Sequence, residues 1–155
     1  MVVVASKFED VPKRKRTYDP ERPGMVTPYG EWVTTSFTNA IKAAGGVIKD
    51  FGVMVHDIKP GSIPPVRKLH IHKNQDTIFL VLMGRLVINV EGTEYELGLK
   101  SFLWIPRGVK HEFIKAIEHT QVLAIVSNPE HTTDLYESDK PWNEEFPSPR
   151  PRKVY

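Results

Sequence analysis

Short strand-like segments follow one another closely between residues 51 and 127, and this spacing constrains the fold more than any other feature of the sequence. Each segment holds four to eight residues, and most of the gaps between segments contain Gly, Pro, Asn or Asp. Segments of this length with such punctuation are typical of strands. The predicted strands are Phe51–Ile58, Lys68–His72, Thr77–Met83, Arg85–Val90, Glu94–Leu97, Phe102–Ile105, His111–Lys115 and Gln121–Ser127. Together they predict an all-β antiparallel sandwich or small barrel.

One short helix and two irregular arms complete the predicted organisation. Asn39–Ala44 has helical character, with Asn39 as its N-cap and the following Gly45–Gly46 as its stop signal. Eight of the 13 prolines fall in the first thirty or the last fifteen residues, and proline disfavours helices and central strands. The sequence therefore predicts an extended N-terminal arm at residues 1–30, a barrel at 31–128 and a Pro-rich C-terminal arm at 129–155.

Composition excludes several classes of protein. The chain has no cysteine, which rules out disulfides, zinc knuckles, iron–sulfur ligation and thiol catalysis. The net charge of +2 is too balanced to predict a nucleic-acid partner, and the basic run Lys13–Arg16 is interpreted as a solvated part of the arm. The apolar run Ile78–Met83 is far too short to cross a bilayer, and Val2–Ala5 lacks the features of a signal peptide. We expect a cytoplasmic protein with no membrane partner.

Three histidines are placed where they could meet. His70 and His72 lie two residues apart on a predicted strand, so both imidazoles point to one face. The turn Pro106–Gly108 delivers His111 to the start of a later strand. Two imidazoles on one face form half of a divalent-metal site, although two surface histidines on a solvated strand, or a histidine that merely follows a hairpin, would give the same strings. The remaining histidines are interpreted as one wall residue, His56, and two solvent-facing residues, His119 and His131.

Two segments in this region resemble the motifs of the cupin superfamily. His70–Gly84, with the sequence HIHKNQDTIFLVLMG, resembles the first cupin motif, and Leu103–His111, with the sequence LWIPRGVKH, resembles the second. The resemblance covers about residues 51–127. It implies a double-stranded β-helix (jelly-roll) barrel and a metal near the barrel mouth, held by His70, His72 and His111. It also implies frequent dimerisation.

The sequence departs from the cupin pattern at the position of a further ligand, usually a glutamate. Counted back from Gly84 that position is Thr77, and counted forward from His72 with the shorter spacing it is Asp76. A threonine hydroxyl is a poor metal ligand, whereas a carboxylate is a good one. We expect three histidine ligands with Thr77 as the structural equivalent of the glutamate, and Asp76 is the alternative fourth ligand.

Strand alternation predicts a mostly apolar pocket beside the metal. Lys68 shares its predicted face with the His70–His72 pair, so it is a candidate to bind the substrate, but it could equally be a solvated residue at the strand start. Such a pocket suits a small organic substrate. The predicted lining consists of Thr77, Phe79, Val81 and Phe113.

The leading functional hypothesis is a mononuclear non-haem iron(II) dioxygenase with one divalent ion per chain. Neutral histidines leave the full metal charge and open coordination positions for an anionic substrate and dioxygen, and the resemblance includes such three-histidine dioxygenases. Zinc, manganese or nickel would instead indicate a redox-neutral isomerase, cyclase or lyase that uses the metal as a Lewis acid. A non-catalytic cupin that binds a small ligand or a metal is the third class. We expect a homodimer, with residues before Phe51 in its interface.

Overall fold

The computed structural model describes residues 5–16, 32–60, 70–129, 135–137 and 149–155, and these form two six-stranded sheets. Sheet A has the order β1-β2-β3-β10-β5-β8, and sheet B has the order β11-β4-β9-β6-β7-β12. A 3₁₀ turn at Phe8–Asp10 and one α-helix, α1 (Phe37–Ala43), are the described helical elements. The strands are β1 (Lys13–Arg16), β2 (Trp32–Ser36), β3 (Phe51–Ile58), β4 (His70–His72), β5 (Thr77–Met83), β6 (Leu86–Val90), β7 (Thr93–Leu97), β8 (Phe102–Ile105), β9 (His111–Ala116), β10 (Thr120–Ser127), β11 (Leu135–Glu137) and β12 (Arg152–Val154).

The all-β prediction is confirmed, and every predicted strand between residues 51 and 127 is present as one of β3 to β10. The helix begins earlier than expected. Ser36 is its N-cap, and the Ser36 hydroxyl accepts a hydrogen bond from the backbone N–H of Asn39 at 3.2 Å. The prediction that Asn39 is the cap is therefore wrong, because Ser36 stands at the end of a strand with the extended backbone that a cap requires. The helix stops where predicted, at Gly45, which has φ +85°.

Strands from both ends of the chain extend the sheets. β1 pairs antiparallel with β2, β11 pairs antiparallel with β4, and β12 pairs parallel with β7. The nearby prolines, Pro12 and Pro151, stand just before β1 and β12, so they remove no hydrogen bond from a strand interior. The arm boundaries at residues 30 and 129 stay predictions, because much of both segments lies outside the described residues.

A buried ion-pair cluster fastens β12 to sheet B. The Glu94 carboxylate accepts from Arg150 at 2.8 Å and from Arg152 at 2.6 Å, and Glu94 and Arg150 are both at least 90% buried in their side chains. Burial raises the pKa of Glu94, but the hydrogen bonds from the two arginines outweigh it and hold that pKa below its ordinary value. The last residues therefore belong to the folded unit.

The hydrophobic core lies between the sheets. Both sheets contribute to one cluster of fully or almost fully buried side chains: Ile58, Val81, Leu86, Ile88, Leu97, Ile105, Ala116 and Val122. Along β9, Ala116 belongs to this cluster, whereas His111 stands at the opposite end of the strand. The core thus supports a polar site at one end of the sandwich. No helix in the described ranges is long and apolar enough to cross a membrane.

Candidate metal centre

Two neighbouring strands of sheet B carry the histidine cluster. β4 consists of His70, Ile71 and His72, and it pairs with β9 so that His70 lies directly opposite His111. Alternation puts His70 and His72 on one face of β4, and the register sets the third imidazole beside them. His70 and His111 are buried, and His72 is half-buried. The structure therefore brings together the three histidines that the sequence singled out.

The three rings converge closely. Ring centroids are 4.3 Å apart for His70 and His111, 5.2 Å for His70 and His72, and 5.3 Å for His72 and His111. One ring nitrogen from each residue lies within 4.8 Å of those of the other two. Asp76 is not part of this group.

Hydrogen bonding determines the tautomer of His111, and burial determines its protonation state. Its Nδ1 lies 3.0 Å from the carbonyl oxygen of Val109. A carbonyl only accepts, so Nδ1 carries the proton and Nε2 keeps its lone pair for another partner. Burial lowers the pKa of His111 to about 3, and the neighbouring His70 and His72 add to that effect. A neutral imidazole with a free Nε2 lone pair is the form that binds a metal.

The turn before β9 is anchored to the end of β4 and to the loop that follows β4. Gly108 has φ +78°, and its N–H donates to the carbonyl of His72 at 2.8 Å. The Asp76 carboxylate accepts from the backbone N–H of Arg107 at 2.9 Å and from its guanidinium at 2.7 Å. These bonds tie the loop after β4 to the turn before β9, and so they fix the separation of the histidines.

Asp76, the alternative fourth ligand, is occupied by that structural contact. The hydrogen bonds from Arg107 hold the pKa of Asp76 below its ordinary value, and the Ser127 hydroxyl lies 3.4 Å from the same carboxylate. Both oxygens of Asp76 thus have partners outside the histidine cluster. Sequence reasoning noted Arg107 only as part of a turn and missed this role. An acidic residue four positions after His72, together with a basic residue in the second motif, was the available signal.

The predicted pocket lining follows the alternation of β5. Thr77 and Val81 are buried, whereas Ile78 and Leu82 are exposed. The half-buried Phe79 and Phe113 pack against the core cluster, and Val81 belongs to it. Val81 is therefore a core residue, and a substrate pocket lined by Thr77, Phe79 and Phe113 stays a prediction. Lys68 lies outside the described residues.

The other histidines have different surroundings. His56 lies on β3, and its Nδ1 is 3.0 Å from the Thr34 hydroxyl. His119 is half-exposed and pairs with Asp57 at 2.7 Å. His131 lies outside the described residues.

A cavity of about 800 Å³ opens beside α1 on the side of sheet A where β2 and β3 lie. Val126 belongs to its lining and is the cross-strand neighbour of Thr77. None of the three clustered histidines is among the lining residues that the structure describes. Polar lining residues include Thr34, Ser36, Thr38, Asn39 and Gln75.

The donor set fits one transition-metal ion. Three imidazole nitrogens at one buried point suit zinc, iron, nickel or copper rather than calcium or magnesium, which prefer oxygen ligands. His70, His72 and His111 would hold the ion, and the carbonyl of Val109 would orient His111 from behind, as hydrogen-bond partners commonly do for metal-binding histidines.

Comparisons with known proteins agree with this architecture. The family model for the cupin domain matches residues 54–126. KdgF from Halomonas sp. is 19% identical, with 66% of this chain and 82% of that chain covered and a TM-score of 0.50. A cupin-superfamily sugar phosphate isomerase from Silicibacter pomeroyi is 18% identical, with 88% and 83% covered and a TM-score of 0.62.

A third solved structure, Streptomyces Pac13 with uridine, is 10% identical, with 94% of this chain and 99% of that chain covered and a TM-score of 0.61. Pac13 is described as a nucleoside dehydratase. The sequence has no significant match among curated proteins. These likenesses establish the fold, and the match at residues 54–126 covers both histidine motifs. The chain therefore contains a cupin domain at residues 54–126 and has the cupin fold.

Proposed function

We propose that His70, His72 and His111 bind one divalent metal ion and that the protein acts on a small organic molecule at this centre. The observation that carries the proposal is the convergence of three ring nitrogens within 4.8 Å. The low pKa of His111 supports it, because that imidazole stays neutral across the physiological range without help from a metal.

The chemistry that we favour is redox-neutral. A metal at the three nitrogens supplies Lewis-acid polarisation of a substrate carbonyl or hydroxyl oxygen. We propose that Phe79 and Phe113, which pack against the core cluster, form apolar walls that exclude water from that oxygen. Fold neighbours named as an isomerase and a dehydratase catalyse reactions that need no external oxidant, and this supports the choice.

The substrate is proposed to enter through the 800 Å³ cavity. Its volume lies within the range of about 300–1,000 Å³ that small-molecule sites occupy. Its lining mixes hydroxyl and amide groups with Met54 and Val126, which suits a polar molecule with several oxygen atoms. Val126 lines this cavity, and Thr77 is its cross-strand neighbour on the same face of sheet A.

An iron(II) dioxygenase is the second candidate. It is favoured by the neutral ligand set, because Asp76 is turned to Arg107 and, among described residues, no carboxylate joins the cluster. Iron at this centre would keep its full charge for an anionic substrate, which is the basis of the dioxygenase hypothesis. Oxygen consumption separates the candidates. Iron-loaded protein that consumes dioxygen with catechol or a β-diketone supports the dioxygenase, and turnover of a hydroxy-carbonyl probe by zinc-loaded protein without oxygen supports the redox-neutral enzyme.

Metal content tests the centre itself. Wild-type protein, purified without added metal and then titrated with Zn²⁺ or Fe²⁺ under anaerobic conditions, should bind one ion per chain. His72→Ala and His111→Gln should each lose most of that binding. His119→Ala is the matched control because His119 is half-exposed and pairs with Asp57.

Two further variants settle the ligand set. Asp76→Asn should weaken metal binding no more than Arg107→Ala does, because both variants break the same ion pair, and Thr77→Ala should keep the metal. Loss of the ion from Asp76→Asn to the same extent as from His72→Ala would show a histidine–carboxylate site, and undiminished binding in the histidine variants would refute the centre.

Assembly and location are further proposals. We propose that the chain forms a homodimer, as cupins frequently do, and that it works in the cytoplasm.

A further inference from the structure

The cavity beside α1 is lined by two positive charges. Lys13 and Lys42 belong to its lining, and none of the lining residues that the structure describes is acidic. Lys42 is an exposed residue in the last turn of α1. The Lys13 ammonium donates to the carbonyls of Phe8 and Glu9 at 3.0 and 3.1 Å, and these bonds hold its charge in place. A cleft lined by charges of one sign concentrates ligands of the opposite sign.

Two hydroxyl groups of the lining are arranged to donate hydrogen bonds. The Thr38 oxygen accepts from the backbone N–H of Val53 at 2.9 Å, and the Ser36 oxygen accepts from the backbone N–H of Asn39 at 3.2 Å. A hydroxyl has one proton and two lone pairs, so each group keeps its proton for a ligand. The bonds from the backbone also fix where the two oxygens lie.

The polar wall of the cavity is built into the folded protein. Thr34 and Thr38 are each 6% exposed, and Gln75 is 5% exposed. The Thr34 hydroxyl lies 3.0 Å from Nδ1 of His56, and the Gln75 amide donates to the carbonyl of Asn128 at 3.4 Å. Polar groups that are buried in this way are held in position by their partners. The wall therefore has a fixed pattern of hydrogen-bonding groups that a ligand must match.

We propose that this cavity binds the anionic group of the substrate, an ionised carboxylate or phosphate. The proposal rests on the proposed function and names its substrate class, a small polar molecule that carries an oxyanion. Lys13 and Lys42 supply the attraction, and the protons of Ser36 and Thr38 supply directed hydrogen bonds. Ionised oxygen atoms only accept, and hydrogen bonds to them are stronger than hydrogen bonds to neutral acceptors.

A neutral sugar is the alternative ligand for a polar cavity. Sugar hydroxyls donate as well as accept, so such a ligand needs acceptors in the wall. The amides of Asn39 and Gln75 can offer an oxygen, but a lysine ammonium can only donate. The two lysines add an attraction for an anion that a neutral ligand does not receive. The charge of the lining therefore favours the anion.

Calorimetry on the full chain, purified without added metal, tests the cavity with three probes of similar size: gluconate, glucose 6-phosphate and glucose. Metal is left out so that an ion at the histidines cannot hold the anion. At least one of the two anions should bind tenfold or more tightly than glucose. The anion that binds more tightly identifies the group, carboxylate or phosphate, that the cavity accepts.

Variants of the lining locate the binding. Lys42→Gln should weaken binding of the anion about tenfold, the effect of losing one charge-assisted contact, and leave glucose binding unchanged. Lys49→Gln is the matched control, because Lys49 is an exposed lysine between α1 and β3 that is not a lining residue. Thr38→Val should also weaken binding of the anion, whereas Thr38→Ser, which keeps the hydroxyl, should retain it. Lys42 is exposed, so its variant should keep the wild-type thermal melt.

His111→Gln separates this site from the metal centre. It should lose the metal and still bind the anion as the wild type does. Anion binding that requires metal and disappears in His111→Gln would overturn the cavity site and leave the metal centre standing. Three other results would also overturn the cavity site: equal binding of glucose and both anions, no binding of either anion at millimolar concentration, or undiminished binding in both Lys42→Gln and Thr38→Val.

Discussion

Two glycines with the same backbone conformation should respond very differently to alanine. Gly84 has φ +80° and Gly108 has φ +78°, and both belong to the cupin-like motifs. In either position the left-handed conformation destabilises an alanine by about 1–2 kcal/mol relative to glycine. The two positions differ in the room that they leave for a side chain. Nothing lies within 4 Å of a Cβ at Gly108, whereas a Cβ at Gly84 would overlap the carbonyl of His119 and lie 2.7 Å from the Cα of Thr120.

The neighbours of Gly84 cannot move away. Thr120 is fully buried, and its hydroxyl is hydrogen-bonded to the backbone of Arg85 and Glu118. Relieving the overlap must therefore shift backbone, which adds about 1–3 kcal/mol of packing strain. We expect Gly108→Ala to lower the free energy of unfolding by about 1–2 kcal/mol and Gly84→Ala by about 2–5 kcal/mol.

Urea titrations followed by circular dichroism measure both values, with an unchanged slope as the control for two-state unfolding. Equal losses in the two variants would contradict the steric argument.

Four further perturbations test other parts of the structure. Burial raises the pKa of Glu112 to about 8, so the folded protein holds a proton on Glu112 that the unfolded chain releases above about pH 4.5. The free energy of unfolding of the wild type should therefore fall between about pH 4.5 and pH 8. Glu112→Gln should be as stable as the wild type at pH 4 and should have the higher urea midpoint at pH 8. Arg107→Ala breaks a partly exposed pair with Asp76, so it should have little effect on the stability of the fold while calorimetry shows weaker metal binding. Glu94→Gln weakens the ion pairs that hold β12 on sheet B. It should lower the free energy of unfolding by on the order of 3 kcal/mol and speed tryptic cleavage after Arg150. Chelation of metal should leave one cooperative melt, because the core cluster contains no histidine; an unfolded apoprotein would overturn that expectation.

Local patterns were sufficient to predict most of the fold. On β5, the burial of Thr77 and Val81 and the exposure of Ile78 and Leu82 follow the period-2 alternation that the sequence shows. Turn-forming residues in the sequence predicted where most of the strands end. Long-range pairing was not predictable in this way: β12 joins sheet B because Glu94 meets two arginines more than fifty positions later, and no local pattern encodes that contact.

Local patterns also predicted part of the candidate site. His70 and His72 share a strand face by alternation, and the turn before His111 could be read directly from Pro106–Gly108. The structure adds that His70 and His111 are cross-strand neighbours. The partner of Asp76 could not be predicted, because the position of Arg107 beside it depends on how two loops 31 residues apart pack together.

The arrangement of Asp76 explains why the cluster contains only imidazoles. A carboxylate beside the histidines would bring negative charge to the centre and lower its attraction for an anionic substrate. Here the carboxylate that follows His72 is held by Arg107, and both its oxygens point into that pair. The two residues neutralise each other while they fasten the loops that carry His72 and His111. The same contact therefore helps to set the geometry of the histidine cluster and holds the Asp76 carboxylate away from it, so that an ion bound by the three imidazoles would retain its charge for the molecule that it binds.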